Sequence, residues 1–325
     1  MASFKILNNV SPPFRTKKGV KQGRVASPLL FYIVMNRVIT DILGAANLLE
    51  LGSNQPWFLE NRAISYADDL VLIAKNLEEA NNLVLILNTF SLKVGLDINF
   101  DKAVIMPHAP PLGDWLVGGK VIKVVSSYKY LGVNIDNKGS YKDELRFRIQ
   151  NSRAAFYKYF KLWRTREISV FTRLRIFNSS IIPILLYGGD TWEITKTETK
   201  RLQTFVNKCL RIINGVFNPN IISNDNLWRR SKHTPVQVTL KKKRITFFAH
   251  ILRNHTNKSL VLDAINWLYS FNGKSYGRFK RLWYYRAMKD IMDMNLNTKQ
   301  FLRLNKNKRS IKKLLKIKSN YLNLP

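Results

Sequence analysis

One cysteine in 325 residues, Cys209, leaves the chain without an internal disulfide and points to a reducing compartment. Within FVNKCLRIING it reads as a small apolar filler. Histidine is nearly as scarce. His108, His233, His250 and His255 lack the companion cysteines of a zinc knuckle or finger, and His250 and His255 have no acidic third ligand nearby, so no zinc site is expected. Long apolar runs are missing as well: SIIPILLYGG falls short of the roughly 18–20 residues of a membrane helix and contains Pro183. The N-terminus has no signal-peptide core. These absences predict an intracellular chain that does not engage a membrane.

The largest deficit is in acidic charge, with 21 Asp+Glu against 54 Lys+Arg and a formal net charge of +33. Its distribution is uneven. Residues 1–140 carry 15 Lys+Arg against 11 Asp+Glu, net +4, whereas residues 141–325 carry 39 against 10, net +29. A nearly neutral first part followed by so cationic a remainder makes nucleic acid the expected partner. At 46% hydrophobic content the chain has enough apolar residues for real cores, and its length suits two or three domains.

What is present begins with KKGVKQGRVASPLLFYIVMNRVI, residues 17–39, a basic loop ahead of an apolar helix. Ser27 and Pro28 suit a helix opening, the serine capping free N–H groups and the proline taking the first helical position. Leu29 to Val38 are apolar almost all round, which predicts a buried helix. Lys17, Lys18, Lys21 and Arg24 make the preceding loop cationic, and Gly19 and Gly23 permit bends or close backbone approach. A polyanion could lie there, although a solvated basic loop is the commoner source of such a stretch.

RAISYADDLVLIAK, residues 62–75, reads as two short strands with Ala67-Asp68-Asp69 at the turn. Adjacent carboxylates repel, and a fold that keeps them together at a hairpin tip usually neutralises them with a cation. Magnesium suits such a pair, being a hard ion held by one or two carboxylates plus substrate phosphates. Asp-Asp is also simply a good turn sequence, and on its own that plainer reading is the stronger.

Taken together and in order, Gly19-x-x-Gln22-Gly23, Ser27-Pro28-Leu29-Leu30-Phe31 and Tyr66-Ala67-Asp68-Asp69 resemble the fingerprint of a non-LTR retrotransposon reverse transcriptase of the RTE or a related type. LDINFDKAVIM resembles the segment that carries the family's lysine, here Lys102, and SYKYLGVNID resembles its primer-gripping hairpin, here Tyr128, Tyr130, Leu131 and Gly132. IIPILLYGGDTW, LQTFVNKCLRIING, KKKRITFFAHILRN and GRFKRLWYYRAMKDI look like the region after the polymerase, so the resemblance covers about residues 14–300. It implies an RNA-directed DNA polymerase acting on an RNA template and a DNA primer, with Asp68 and Asp69 as ligands of a two-magnesium centre. Lys102 would lie near the departing pyrophosphate. Gln22, Gly23, Ser27, Pro28 and Tyr66 would lie beside the template base and incoming nucleotide.

The family also needs a third carboxylate several tens of residues before the Gln-Gly turn, yet residues 1–18 contain neither Asp nor Glu, and Asp41 falls at the far end of the predicted helix. Phe279 stands where the family's GRP segment has proline. The expectation is a truncated polymerase domain, inactive alone, lacking fingers and endonuclease. The alternative is a non-catalytic nucleic-acid-binding protein. The fold expected is α+β: a palm remnant over residues 1–137, an all-α thumb over 138–228 and a basic helical extension over 229–325. The palm is expected to include a helix of Leu77, Ala80, Leu83, Val84 and Leu87 that packs on the Asp68 hairpin and stops at Gly95. In the thumb, Thr195-x-x-Glu198 predicts a capping box for a helix through Ile212 with Gly215 beyond it, while Phe156, Trp163 and Phe177 are expected in the core. In the extension, Lys241, Lys242, Lys243, Arg244, Arg278, Lys280, Arg281 and Tyr284 mix cations with an aromatic ring in a way suited to phosphate contact and base stacking. Nucleus and cytoplasm are the locations the family implies.

Overall fold

Glycine, proline and capping residues cut the chain into many short elements, and two compact units result, residues 1–126 and 127–325. The computed structural model describes residues 5–6, 9–12, 19–21, 23–48, 63–108, 115–117, 119–253, 261–262, 264–265, 283–294, 296–305 and 307–317. Of the expected site residues, Gln22, Arg278, Lys280 and Arg281 lie outside them.

The first unit is mixed. Strands β1 (Lys5–Ile6) and β2 (Asn9–Val10) pair antiparallel, and helix α1 (Ser27–Leu48) follows. Strands β3 (Ala63–Tyr66) and β4 (Asp69–Leu72) form a hairpin with Ala63 opposite Leu72 and Tyr66 opposite Asp69. Helix α2 (Leu77–Lys93) opens on Asn76, whose side chain accepts from the Glu79 N–H, and gives way to Gly95 at φ 76°. Beyond it β5 (Val104–Ile105) runs parallel to β7 (Lys120–Val124), whose other edge pairs antiparallel with β6 (Trp115–Val117). Val38, Ile42 and Leu87 are buried where α1, α2 and the hairpin meet, with Leu70 and Leu72 packed against them. Helix α2 packs chiefly on α1 and β6 rather than on the Asp68 hairpin, with which it shares the cluster around Val38, Ile42 and Leu87.

Three expectations for α1 are corrected. Its buried stripe is narrow, Met35, Val38 and Ile42 at helical spacing, while Leu29, Leu30, Tyr32 and Ile33 are exposed, because the hairpin and α2 meet one face only. Ser27–Ala45 is also long and apolar enough by length and composition to cross a membrane, although polar residues interrupt its apolar run. Arg37 and Asp41, paired at 3.0 Å, interrupt the run without lowering its mean hydropathy below that of a spanning helix. Nor does Ser27 cap the helix as expected. It is the first helical residue, which puts Pro28 second, and its Oγ donates to the Lys21 carbonyl at 2.5 Å, tying the basic loop to the helix start.

The second unit opens with a hairpin, β8 (Ser127–Tyr130) and β9 (Val133–Asp136), and continues as helices. These are α3 (Lys142–Lys158), α4 (Phe160–Arg164), α5 (Val170–Ser180), α6 (Ile182–Leu185), α7 (Lys196–Asn214), α8 (Asn224–Ser231), α9 (Val236–Arg253), α10 (Trp283–Met292), α11 (Thr298–Asn305) and α12 (Lys308–Ile317). The capping box forms: Thr195 Oγ1 accepts from the Glu198 N–H at 3.2 Å, Glu198 accepts from the Thr195 N–H at 2.7 Å, and Gly215 ends α7 at φ 67°. Phe156, Trp163 and Phe177 do lie in the core, the first two rings stacked at 5.1 Å. Cys209 is buried, and burial pushes its thiol up to about 12, as suits a filler.

A second apolar cluster is built from Ile245, Phe248, Ala249, Ile291, Phe301 and Ile311. Helix α9 serves both clusters, Val236 and Leu240 facing the first and Val238 and Ile245 the second, so the chain has no break at residue 228. The first boundary shifts too. It falls between Ser126 and Ser127 rather than near Asn137, because buried polar groups on α3 hold the β8–β9 hairpin to the helical unit.

His233 follows α8, where its Nδ1 lies 3.2 Å from Asn178 Oδ1, and burial lowers it to about 4. The folded state thus resists a proton that the unfolded chain accepts near its ordinary value of about 6.5. The stability this contributes is full above that value and is lost as pH falls from there towards about 4. His233→Gln should make the loss of unfolding free energy between pH 7 and about pH 4.5 smaller than in the wild type by about 2–3 kcal/mol, read by urea titration at both pH values.

Candidate functional site

In the first unit the β3–β4 hairpin closes through a two-residue loop, Ala67-Asp68, and Ala67 holds φ at 54°. A residue with a Cβ is strained there by about 1–3 kcal/mol, a cost that non-glycine residues sustain mostly at functional turns. The loop presents Asp68 and starts β4 at Asp69, and both are exposed beside an exposed Tyr66, while Leu70 and Leu72 anchor the base of the hairpin in the core. Among the described residues neither carboxylate has an ion-pair partner. Hard carboxylate oxygens on a rigid tip, open to solvent, fit a hydrated divalent cation that fills its remaining positions with water and phosphate. A group of three acidic, histidine or cysteine side chains able to enclose a metal is not found among the described residues.

Gly19 and Gly23 sit at φ 92° and 85°, so the bends expected of the basic loop are there. Ser27 is buried and Pro28 exposed at the start of α1. Lys102 lies in an exposed turn before β5, where its N–H donates to the Asn99 carbonyl at 3.2 Å.

The second unit carries the Tyr128–Gly132 hairpin. Its loop, Leu131-Gly132, has both residues at positive φ, 47° and 80°, the mirror-image turn that matches strand twist. Tyr128 and Leu131 are exposed. The loop carbonyls point the other way: Tyr187 Oη donates to the Leu131 carbonyl at 3.0 Å, and Arg148 Nη2 donates to the Gly132 carbonyl. The Arg148 guanidinium also lies 4.7 Å from the centre of the Tyr187 ring. Glu144, fully buried, accepts from Arg148 Nε at 2.5 Å and from the Asn134 N–H at 2.9 Å. Sequence reading missed Glu144, Arg148 and Tyr187. Glu144 and Arg148 stand four apart in DELRFR, a spacing that normally marks a surface pair of little worth.

The basic cluster of α9 is a correction. Arg244 is 3% exposed and bonds to Asp290 on α10, so it is an internal strut rather than a phosphate ligand. Lys241 is bound to Asp293 at 2.8 Å, Lys243 lies 4.0 Å from Asp190, and burial lowers the Lys242 ammonium from its ordinary range. Charges on one helix turn face every direction, and the sequence run hid which of them turn inward. Tyr284 is partly buried with its ring edge-on to Phe248 at 5.7 Å.

Residues 1–135 match the family described as reverse transcriptase (RNA-dependent DNA polymerase). A Drosophila melanogaster protein described as the RNA-directed DNA polymerase from transposon BS is 25% identical over 228 residues, 64% of this chain and 24% of that protein. A transposon-derived protein of Caenorhabditis elegans is 24% identical over 241 residues, 70% of this chain and 84% of its own length. The chain thus spans about a quarter of the fly polymerase.

Removing one partner of a buried ion pair strands the other charge. Arg148→Ala should therefore cost about 3–5 kcal/mol of unfolding free energy and deprotect the Asn134 amide in hydrogen exchange, whereas Glu144→Gln, which keeps an acceptor for that amide, should cost less. Both are read by denaturant titration with exchange mass spectrometry.

The two-carboxylate hairpin tip and the glycine-bent loop before α1 both lie within residues 1–135, the stretch that matches the reverse transcriptase (RNA-dependent DNA polymerase) family, so the likeness rests on the part of the chain that carries the candidate site.

Proposed function

We propose that residues 1–126 are the palm portion of an RNA-directed DNA polymerase and that residues 127–325 serve it as thumb and basic extension, gripping an RNA template and a DNA primer inside the cell, in nucleus or cytoplasm. The observation that carries this reading is the exposed Asp68-Asp69 pair on a strained, core-anchored hairpin. Asp68 and Asp69 would hold magnesium, which when bound stabilises charge on the attacking and leaving oxygens of phosphoryl transfer. Tyr66 offers a flat face beside them for the nucleotide. Lys102 would neutralise pyrophosphate, and Gly23 lets the backbone approach the template. Tyr128 and Leu131 would contact the primer strand, their loop held from beneath by Arg148 and Tyr187.

A two-metal centre needs a third carboxylate, which residues 1–18 do not supply. That lack, with net +29 in residues 141–325, favours a second reading in which these 325 residues bind nucleic acid without polymerising.

On a primed RNA template with magnesium and deoxynucleotides, the 325-residue chain alone should give no template-dependent extension. Extension abolished by Asp68→Ala would show instead that the chain is a complete catalyst. Manganese should broaden the Asp68 and Asp69 carboxylate resonances, and Asp68→Asn should weaken the effect. An unperturbed spectrum at millimolar manganese would overturn the metal assignment.

A further inference from the structure

Helices α3 and α7 enclose a groove of about 330 Å³ on the second unit, at the small end of the range for ligand sites. Its floor is apolar, formed by Ile149, Phe205 and Ile212 with Phe156 and Cys209 beneath. Its rim is cationic: Arg153 on α3 faces Arg201 and Lys208 on α7. All three are exposed, and among the described residues none has an acidic partner. They differ in this from Lys241, Lys243 and Arg244 on α9, which are paired with Asp190, Asp290 and Asp293. Tyr157 completes the rim, exposed, with its ring 5.6 Å from that of Phe160.

The groove is separate from the Tyr128–Gly132 hairpin. At 3.6 residues per turn, Arg153 lies roughly 140° around α3 from Arg148, which holds that hairpin. On α7, Arg201 and Lys208 stand seven residues apart, about 10 Å along the axis. One unpaired cation on one wall and two on the other, above an apolar floor with an exposed aromatic edge, complement a ligand that is flat and apolar in its middle and anionic at both ends.

We propose that this groove seats one unstacked base of a single-stranded nucleic acid, its flanking phosphates held by Arg153, Arg201 and Lys208 and its face against Tyr157 and the apolar floor. The inference rests on the second unit alone and does not depend on catalysis by Asp68 and Asp69.

The test is fluorescence anisotropy of the full chain with a labelled oligothymidylate of about twelve nucleotides, a length in the usual range for single-strand sites, and with the same strand made abasic, over a range of salt. Replacing Arg153, Arg201 and Lys208 together by Gln should lower affinity at least tenfold and reduce the salt slope by about 1.4, the two phosphates that flank the base at about 0.7 each. The equal-charge control, Lys196, Arg229 and Arg230 replaced by Gln, should do much less. Tyr157→Ala should weaken the base-bearing strand by about tenfold, leave the slope unchanged and scarcely alter the abasic strand. All these side chains are exposed, so the fold should persist, which a thermal melt checks. Equal effects of the two triple variants would overturn the proposal, since only net charge would then matter. Equal binding of the abasic and base-bearing strands to the wild type would overturn it too. So would displacement of the strand by oligoglutamate of matched charge at the same concentration as by unlabelled strand, which would reassign the groove to an acidic peptide.

Discussion

Among the described residues of the helical unit three arginines, Arg148, Arg173 and Arg244, are buried, and the rest of its architecture depends on how they are satisfied. A buried guanidinium must be paired and hydrogen-bonded or it costs several kcal/mol. Arg148 takes Glu144, Arg244 takes Asp290, and Arg173 bonds to the Trp163 carbonyl at 2.5 Å. Arg148 donates as well to the Gly132 carbonyl, so the three arginines tie α3 to a hairpin, α9 to α10 and α5 to the end of α4. The pairs are specific joints more than sources of net stability, since an apolar replacement of a whole pair is often as stable.

The same commitment shapes the surface. With 10 acidic residues against 39 basic ones in residues 141–325, every carboxylate turned inward is withdrawn from neutralising an exposed cation. Glu144 and Asp290 are spent inside, and Asp293 is held by Lys241. What remains outside is an excess of Lys and Arg, the kind of field that steers polyanions and holds them in a salt-dependent way. The nucleic-acid affinity proposed for this chain would thus be the outward consequence of an inward charge balance.

The two hairpins show one device serving two ends. Each closes on a two-residue loop with a non-glycine residue at positive φ, Ala67 in one and Leu131 in the other. Such loops are stiff, so what they carry is held without the entropy of a long loop. At the first the exposed cargo is a carboxylate pair. At the second it is the apolar and aromatic edge of Tyr128 and Leu131, and the loop's own carbonyls are tied down by Tyr187 and Arg148.

The linear sequence determined what local chemistry determines. The Asp68-Asp69 turn, the Thr195–Glu198 capping box, the Gly95 and Gly215 stops and the buried Phe156, Trp163 and Phe177 were all legible, because each depends on neighbours within a few residues or on plain apolarity. Order and spacing of the motifs were enough to reach the family that residues 1–135 match. Tertiary structure alone decided which charges face inward. Lys241 to Arg244 read as one basic run, yet a helix turns 100° per residue, and only the arrival of α10 with Asp290 and Asp293 distinguishes strut from surface. It decided likewise that the β8–β9 hairpin belongs to the helical unit, since the groups that hold it, Glu144, Arg148 and Tyr187, gather from positions up to 56 residues away from the loop they support. Long-range pairing of buried charge leaves no local mark, because the same Glu and Arg at the same spacing on an open helix face would bond only weakly through water.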